Sequence, residues 1–146
     1  MTVSARCHYA LRAVYALAEH SGAAPLKAGE IAERQRIPIK FLEAILGQLK
    51  GGGFVQSRRG AEGGYRLAVP PEKLTIGAII RFIDGPVDPT EQARPKQRGD
   101  APASPFQGFW ERVGRAVSEV VDETTFADMV RENRELTRAR GADWVI

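Results

Sequence analysis

A glycine-rich segment separates two short strand-like runs in a sequence whose other periodic segments have helical spacing. The strand-like runs are residues 54–57 and 65–68, and residues 58–64 between them contain three glycines. Two such runs joined by a glycine-rich tip predict a β-hairpin. Because the remaining segments predict helices, the expected fold class is mostly α-helical with one small β-hairpin.

Apolar residues recur at spacings of three and four in three segments before the hairpin and in one after it. The first helix is predicted to be capped by Ser4. The second covers residues 28–35, and the third covers residues 39–50, between Pro38 and a run of three glycines. The fourth covers residues 75–84. Three helices, a hairpin and a fourth helix are the element order of a winged helix-turn-helix domain, whose third helix enters a DNA major groove.

The composition changes after the fourth helix. Residues 85–105 contain five prolines and no large aliphatic residue beyond the third position, which predicts a loop with little structure of its own. A strong amphipathic helix and a second, short helix follow, the second with Thr125 and Asp128 as a capping pair. The last seven residues show no pattern that predicts a helix or a strand. The predicted units are residues 1–84, 85–105, 106–139 and 140–146.

The surplus of positive charge is confined to one part of the chain. Residues 27–66 hold eight Lys and Arg against four Asp and Glu, whereas the whole chain has a net charge of +3. Such a window is expected where a protein approaches phosphates, although windows of this charge also arise by chance.

Several classes of protein are not expected. No segment is long and apolar enough for a membrane span. The single cysteine and the lack of an apolar leader at the N-terminus predict a cytoplasmic protein. The sequence has no P-loop, no glycine-framed serine and no fitting cysteine–histidine pattern, so we do not expect an enzyme.

On the third helix, Lys40, Phe41 and Glu43 lie in the first turns, which meet base edges in a recognition helix. Lysine can donate to guanine, glutamate can accept from the cytosine amino group, and an aromatic ring can contact a thymine methyl. Ala44 and Gly47 on the same face leave room for close approach. The alternative interpretation is that Lys40 and Glu43 form only a solvated face.

The hairpin tip carries two arginines, Arg58 and Arg59, beside glycines that let the backbone approach a phosphate or enter a narrow minor groove. The alternative is that Gly60, Gly63 and Gly64 serve only the turn. A further alternative applies to the whole domain, since winged helices also serve as protein-interaction modules that do not read DNA.

Four stretches of the sequence resemble the bacterial Rrf-type winged helix-turn-helix regulators, the IscR/NsrR/CymR family. They are residues 9–13, 30–35, 41–43 and, most specifically, 57–68, and the similarity is close over about the first 88 residues. The resemblance implies a homodimer that binds a palindromic operator in double-stranded DNA, with the long helix after the loop as the dimerisation helix. The implied DNA contacts are Ile39, Lys40, Phe41, Glu43, Ala44, Arg58, Arg59, Gly60, Ala61, Glu62, Gly63, Gly64 and Tyr65, and Arg59 with Gly60 would enter the minor groove. The implied dimer contacts are Phe109, Trp110, Val113, Val117, Val120 and Val121.

The sequence departs from the family pattern at two places. Many members bind an iron–sulfur cluster through three cysteines in the loop, but residues 85–105 contain neither cysteine nor histidine here, so we expect no cofactor. The C-terminal part instead resembles the cluster-free CymR branch, which implies a regulator of thiol metabolism with a cysteine-biosynthesis enzyme as a possible partner. In addition, Pro38 and Ile39 replace the serine usual at the start of the recognition helix.

The cysteine and the two tryptophans each allow a functional and a structural interpretation. Cys7 lies early in the first helix, where the helix dipole lowers a thiol pKa, which would suit a redox switch. It also lies on the apolar stripe, where it would pack as a small hydrophobic residue. Trp110 and Trp144 could stack on a ligand or belong to the dimer core.

Overall fold

The computed structural model describes residues 2–20, 24–87 and 104–143. Within these ranges the chain forms six helices and one two-stranded antiparallel sheet, which confirms the predicted fold class and element order. In chain order they are α1 (Ala5–Glu19), α2 (Ala28–Gln35), α3 (Ile39–Gly51), β1 (Val55–Arg58), β2 (Gly64–Leu67), α4 (Ile76–Asp84), α5 (Gln107–Glu123) and α6 (Phe126–Asp143). Most of the loop predicted over residues 85–105, and Trp144, lie outside the described residues.

Side-chain caps fix the starts of three helices. The Ser4 hydroxyl accepts a hydrogen bond from the Cys7 amide at 3.0 Å, and the Thr75 hydroxyl caps α4 in the same way. At α6 the cap is reciprocal, because Asp128 accepts from the Thr125 amide at 2.9 Å while Thr125 accepts from the Asp128 amide at 3.1 Å. These bonds satisfy amides that a helix leaves unpaired, and the capping predictions are confirmed.

The main core lies around α1, whose alanines allow the other elements to pack closely against it. Ala10, Ala13 and Val14 are fully buried there. The three-and-four spacing of the apolar residues on α3 turns its stripe towards the same core. Other buried members of the cluster are Leu17, Leu26, Ile31, Ile37, Leu42, Ile45, Leu46, Leu49, Val55, Leu74, Ile79 and Phe126.

The hairpin pairs Val55 with Leu67 and Arg58 with Gly64, one residue away from the predicted boundaries at each strand. The first strand begins later than predicted because the Phe54 amide donates to the carbonyl of Leu49 at the end of α3. The sheet is extended on its other side by an isolated bridge between Leu26 and Tyr65, with N···O distances of 2.8 and 2.9 Å. Backbone hydrogen bonds therefore attach the hairpin both to the end of α3 and to Leu26.

The junction between α5 and α6 is hydrogen-bonded to the segment that precedes α4. The Ile76 amide donates to Thr124 at 3.0 Å, and the Phe126 amide donates to Leu74 at 2.9 Å. Phe126 is 1% exposed and belongs to the main core. The start of α6 is thus part of the winged domain's own core, although the predicted boundary placed it with a separate helical unit.

The last helix is longer than predicted. We expected a short helix and no order from residue 140 onwards, but α6 continues to Asp143. The prediction was wrong because its outer turns are exposed and carry charged residues rather than an apolar stripe, so periodicity gives no signal there. Arginine and glutamate are nevertheless good helix formers, and Arg131 pairs with Asp128 one turn earlier at 2.7 Å. None of the described helices has the length and hydropathy required to cross a membrane.

Candidate DNA-binding interface

Helix α3 has one buried face and one exposed face. Leu42 and Leu46 are fully buried, whereas Ile39 is 43% and Phe41 61% exposed. Lys40, Glu43, Ala44 and Gly47 are also exposed. The residues predicted to meet base edges are therefore on the solvent side of α3, in its first two turns.

Phe41 is supported by a residue that sequence reasoning missed. The ring of Tyr9 on α1 lies 6.3 Å from the Phe41 ring, and the guanidinium of Arg12 lies 6.0 Å from the Tyr9 ring centre. These contacts restrict the Phe41 side chain although most of it is exposed. The sequence offers one signal for this contact: Tyr9 is an aromatic residue on α1 that lies outside the buried stripe of that helix.

Helix α3 begins without a side-chain cap. Pro38 occupies the N-cap position and makes no side-chain hydrogen bond to the first turn. The first turn also contains no acidic residue. The amides at this end therefore keep their positive partial charge, which favours an anionic neighbour such as a DNA phosphate. The missing cap expected from Pro38 and Ile39 is confirmed.

The hairpin tip, which we call the wing (residues 58–64), presents Arg58, Arg59, Gly60, Ala61 and Glu62 to solvent. The described ion pairs are Arg81–Asp122 and Arg131–Asp128. Neither includes an arginine of the wing or Lys40 of α3. The wing therefore carries exposed guanidinium groups next to a backbone of low bulk.

The wing glycines have different structural roles. Gly60 has φ +106° with open space around it, so within the chain its lack of a side chain is needed for the turn conformation and not for packing. Gly63 is buried, and a Cβ there would collide with the Arg58 backbone. Gly64 has φ +154°, and a Cβ would lie 2.6 Å from the Leu26 oxygen. The turn accounts for Gly60 and Gly63 and the approach of Leu26 accounts for Gly64, so any role of these glycines in approaching DNA is additional.

Tyr65 differs from the other residues of the expected DNA-contact set, because it also packs against the core. Its side chain is half-buried against the main core, and its backbone forms the bridge to Leu26. The alternation along β2 turns Tyr65 inward and Arg66 outward. Tyr65 therefore stabilises the base of the hairpin, and its contact with DNA stays a prediction.

Helix α5 has an apolar face that no described residue covers. Phe109 is 50%, Trp110 47% and Val120 65% exposed. The rings of Phe109 and Trp110 pack edge to face, with centroids 5.0 Å apart. Val113 on the same face is half-buried. This face is the one that the resemblance implied as the dimer interface.

Val117 and Val121, which were also expected at that interface, contact the chain's own core. They pack against a second cluster formed by Cys7, Ile80 and Val87. Next to them, Arg81 of α4 binds Asp122 of α5 through two hydrogen bonds of 2.5 and 2.8 Å. The hydrogen bonds from Arg81 lower the pKa of Asp122. These two valines therefore attach α5 to α4.

Cys7 is fully buried and packs as a small hydrophobic residue. Burial, followed by the charge and the hydrogen-bond acceptance of Asp84, raises the pKa of its thiol to about 11. Reactivity requires a thiolate, which is scarce at neutral pH for such a group. Burial and the raised pKa support the packing interpretation, and a redox role of Cys7 stays a prediction.

We therefore expect the thiol of Cys7 to be unreactive in the folded protein. Its reaction with an aromatic disulfide reagent at neutral pH should be at least about a hundredfold slower than in denaturant, because both access and thiolate fraction are low. Absorbance of the released thiolate measures both rates on one sample. Rapid stoichiometric reaction of the native protein would contradict this assignment.

An interface with an exposed recognition helix and an arginine-bearing wing defines a winged helix-turn-helix DNA-binding protein. A model of the Rrf2 family, described as "Iron-dependent Transcriptional regulator", matches residues 3–132. The chain belongs to this family, and it is a DNA-binding transcriptional regulator.

Individual relatives agree with this assignment. The HTH-type transcriptional regulator CymR of Bacillus subtilis is 35% identical over 129 residues, which cover 88% of this chain and 89% of CymR. IscR of Vibrio campbellii is 29% identical over 93% of this chain and 81% of its own length. The structure of CymR, called the global cysteine regulator of B. subtilis, superposes with a TM-score of 0.78 at 32% identity and covers 90% of this chain and 98% of CymR. The structure of T. potens IscR superposes with a TM-score of 0.76 at 34% identity and covers 93% of this chain and 90% of that IscR chain.

The donor set of this chain does not fit an iron–sulfur cluster. Clusters require several thiolates or imidazoles, and the sequence has one cysteine and two histidines. Cys7 is buried beside Asp84, and the ring of His20 is 2.8 Å from the Ala24 carbonyl oxygen. No group of three or more His, Cys, Asp or Glu suited to a metal ion occurs in the described part of the chain.

Proposed function

We propose that the chain acts as a homodimeric repressor whose two α3 helices enter successive major grooves of a palindromic operator. The observation that carries this proposal is the exposure of Ile39 and Phe41 at the start of α3, on a helix whose opposite face is buried. A twofold dimer requires an operator with inverted symmetry and half-sites about one helical turn, or a multiple of it, apart.

Three exposed residues of α3 have a base-reading role that their chemistry allows. Lys40 donates to guanine, Glu43 accepts from the cytosine amino group, and Phe41 contacts a thymine methyl. Ala44 leaves space for the groove wall. Arg59 and Gly60 of the wing enter the adjacent minor groove, whose negative potential favours arginine.

The dimer forms through the exposed face of α5. Phe109, Trp110, Val113 and Val120 supply apolar surface that water would otherwise cover, and burial of such surface drives association. The edge-to-face pair of Phe109 and Trp110 is the centre of this contact. Because α5 is bonded to α4 through Arg81 and Asp122, the dimer contact sets the spacing of the two reading helices.

The similarity to CymR supports a regulatory role in cysteine and sulfur metabolism. We include in the proposal a cysteine-biosynthesis enzyme as protein partner, a cytoplasmic location and no enzymatic activity of the chain itself.

Replacing Arg59 with alanine is expected to weaken operator binding about tenfold and to reduce the salt dependence of binding, because each subunit loses one cationic contact to the duplex. Fluorescence anisotropy with a labelled operator duplex at several salt concentrations measures both quantities. Arg66→Ala is the matched control, since Arg66 is exposed on β2 and bonds to Gln56. Unchanged affinity of Arg59→Ala would refute the proposed role of the wing.

A further inference from the structure

Arg36, in the turn between α2 and α3, has a left-handed backbone conformation. Its φ and ψ are 52° and 48°, and among the described residues it is the one non-glycine residue with positive φ. For an L-residue with a Cβ this conformation costs roughly 1–2 kcal/mol, and glycine adopts it freely. A long side chain at this position therefore needs an explanation.

The conformation itself is required by the turn. The amides of Arg36 and Ile37 both donate to the carbonyl of Ala32, the latter at 3.0 Å, which closes the end of α2. Ile37 is then 3% exposed in the main core. This arrangement usually carries glycine at the left-handed position and a buried hydrophobic residue after it. The fold thus favours glycine at residue 36.

The Arg36 side chain has no stabilising role that the described residues show. It is exposed, and it takes part in neither of the ion pairs found in the described ranges. Arg34 precedes it in the last turn of α2, and Lys40 follows it in the first turn of α3. The turn is therefore strained locally and no described ion pair involves the Arg36 guanidinium, so the fold itself gives no reason for an arginine here.

The position of the turn offers a compensating interaction. Arg36 lies three residues before Ile39, at the end of α3 that carries the base-reading residues and lacks a cap. When the start of a recognition helix enters the major groove, the chain just before it lies at the groove edge, where backbone phosphates are found. The turn requires the left-handed conformation but not an arginine side chain, and a residue type that makes a required conformation unfavourable is typical of functional positions.

We propose that Arg36 binds a backbone phosphate of the duplex and fixes how α3 is seated in the major groove. This inference rests on the proposed mode of DNA binding and adds a contact outside the wing and outside α3. The contact is independent of base sequence, so it contributes to affinity for any duplex.

Three variants separate the backbone conformation from the charge. Arg36→Gly and Arg36→Asn remove the charge and introduce residues that tolerate the left-handed region, whereas Arg36→Lys keeps both the charge and the strained conformation. Affinity is measured by anisotropy with a labelled mixed-sequence duplex and with an operator duplex, at several salt concentrations. Stability is measured by thermal unfolding at one protein concentration.

For Arg36→Gly we expect a melting temperature raised by roughly 3 °C and affinity for both duplexes lowered about three- to tenfold. Because the dimer carries one Arg36 in each subunit, the slope of log affinity against log salt on the operator should become less steep by about 1.8, or about 0.9 for each of two phosphate contacts. Arg36→Asn should bind as weakly as the glycine variant, and Arg36→Lys should retain most of the wild-type affinity.

Two results would overturn the inference. One is a glycine variant with wild-type affinity and salt slope. The other is a lysine variant as weak as the glycine variant, which would assign the loss to the turn and not to the charge. Failure of the wild-type protein to bind either duplex would instead reject the proposed function, so the two failures are distinguishable.

Discussion

Phe109→Asp should convert the dimer into a monomer and weaken operator binding by at least about a hundredfold. The substitution places a charge in the centre of the proposed apolar contact, where it would have to lose its hydration. A monomer then reaches one half-site at a time, and the gain from simultaneous binding of two half-sites is lost. Sedimentation velocity measures the mass, and anisotropy with an operator duplex measures the affinity.

The fold itself should tolerate this substitution, since Phe109 is 50% exposed in the single chain. Gln107→Asp is the matched control, because it adds the same charge to an exposed position of α5 outside the apolar face. The control should remain dimeric with unchanged affinity. A Phe109→Asp protein that stays dimeric would show that α5 does not form the interface.

Phe126→Ala is expected to lower the free energy of unfolding by about 3–5 kcal/mol, the range for truncating a buried phenylalanine. Phe126 is 1% exposed and lies among residues of α1 and α3 in the main core. Because it belongs to the same core as the winged domain, the whole chain should still unfold in one transition. Urea denaturation followed by circular dichroism measures the loss.

Leu136→Ala provides the comparison on the same helix. Leu136 is 57% exposed, so its truncation should change stability by less than about 0.5 kcal/mol. If Phe126→Ala lost no more than Leu136→Ala, or unfolded in two separated steps, the packing of α6 into the winged domain would be contradicted.

Much of the fold was predictable because the local signals for helix ends agree with the apolar spacing that directs each helix to the core. Ser4 and Thr125 cap helices whose apolar stripes then face the core. Proline at residue 38 separates α2 from α3, as its effect on the preceding residue requires. The exposed positions of Lys40, Phe41 and Glu43 follow directly from the burial of the Leu42 stripe, since a helix with one buried face must expose the other.

The features that could not be predicted depend on contacts between distant segments. The bridge from Leu26 to Tyr65 turns the tyrosine inward, and no sequence pattern near residue 65 predicts that Leu26 pairs with it. Val117 and Val121 lie on the same apolar stripe as Val113 and Val120, and only the position of Cys7 and Ile80 decides which of them are covered. Periodicity shows that a face is apolar, but not which neighbour covers it.

Sequence patterns also could not predict the left-handed conformation of Arg36. A glycine at that position would have signalled the turn, whereas an arginine gives no such signal. The buried Ile37 and the two bonds to Ala32 define the geometry only once the α2 and α3 axes are known.

The central claim is that two copies of this chain read one symmetrical DNA sequence. The most direct test incubates the protein with a pool of random-sequence duplexes at moderate ionic strength and sequences the retained molecules over several rounds. The account predicts enrichment of a single motif with inverted repeats, and loss of its symmetry when Phe109→Asp protein is used. Recovery of the pool without sequence preference would contradict it.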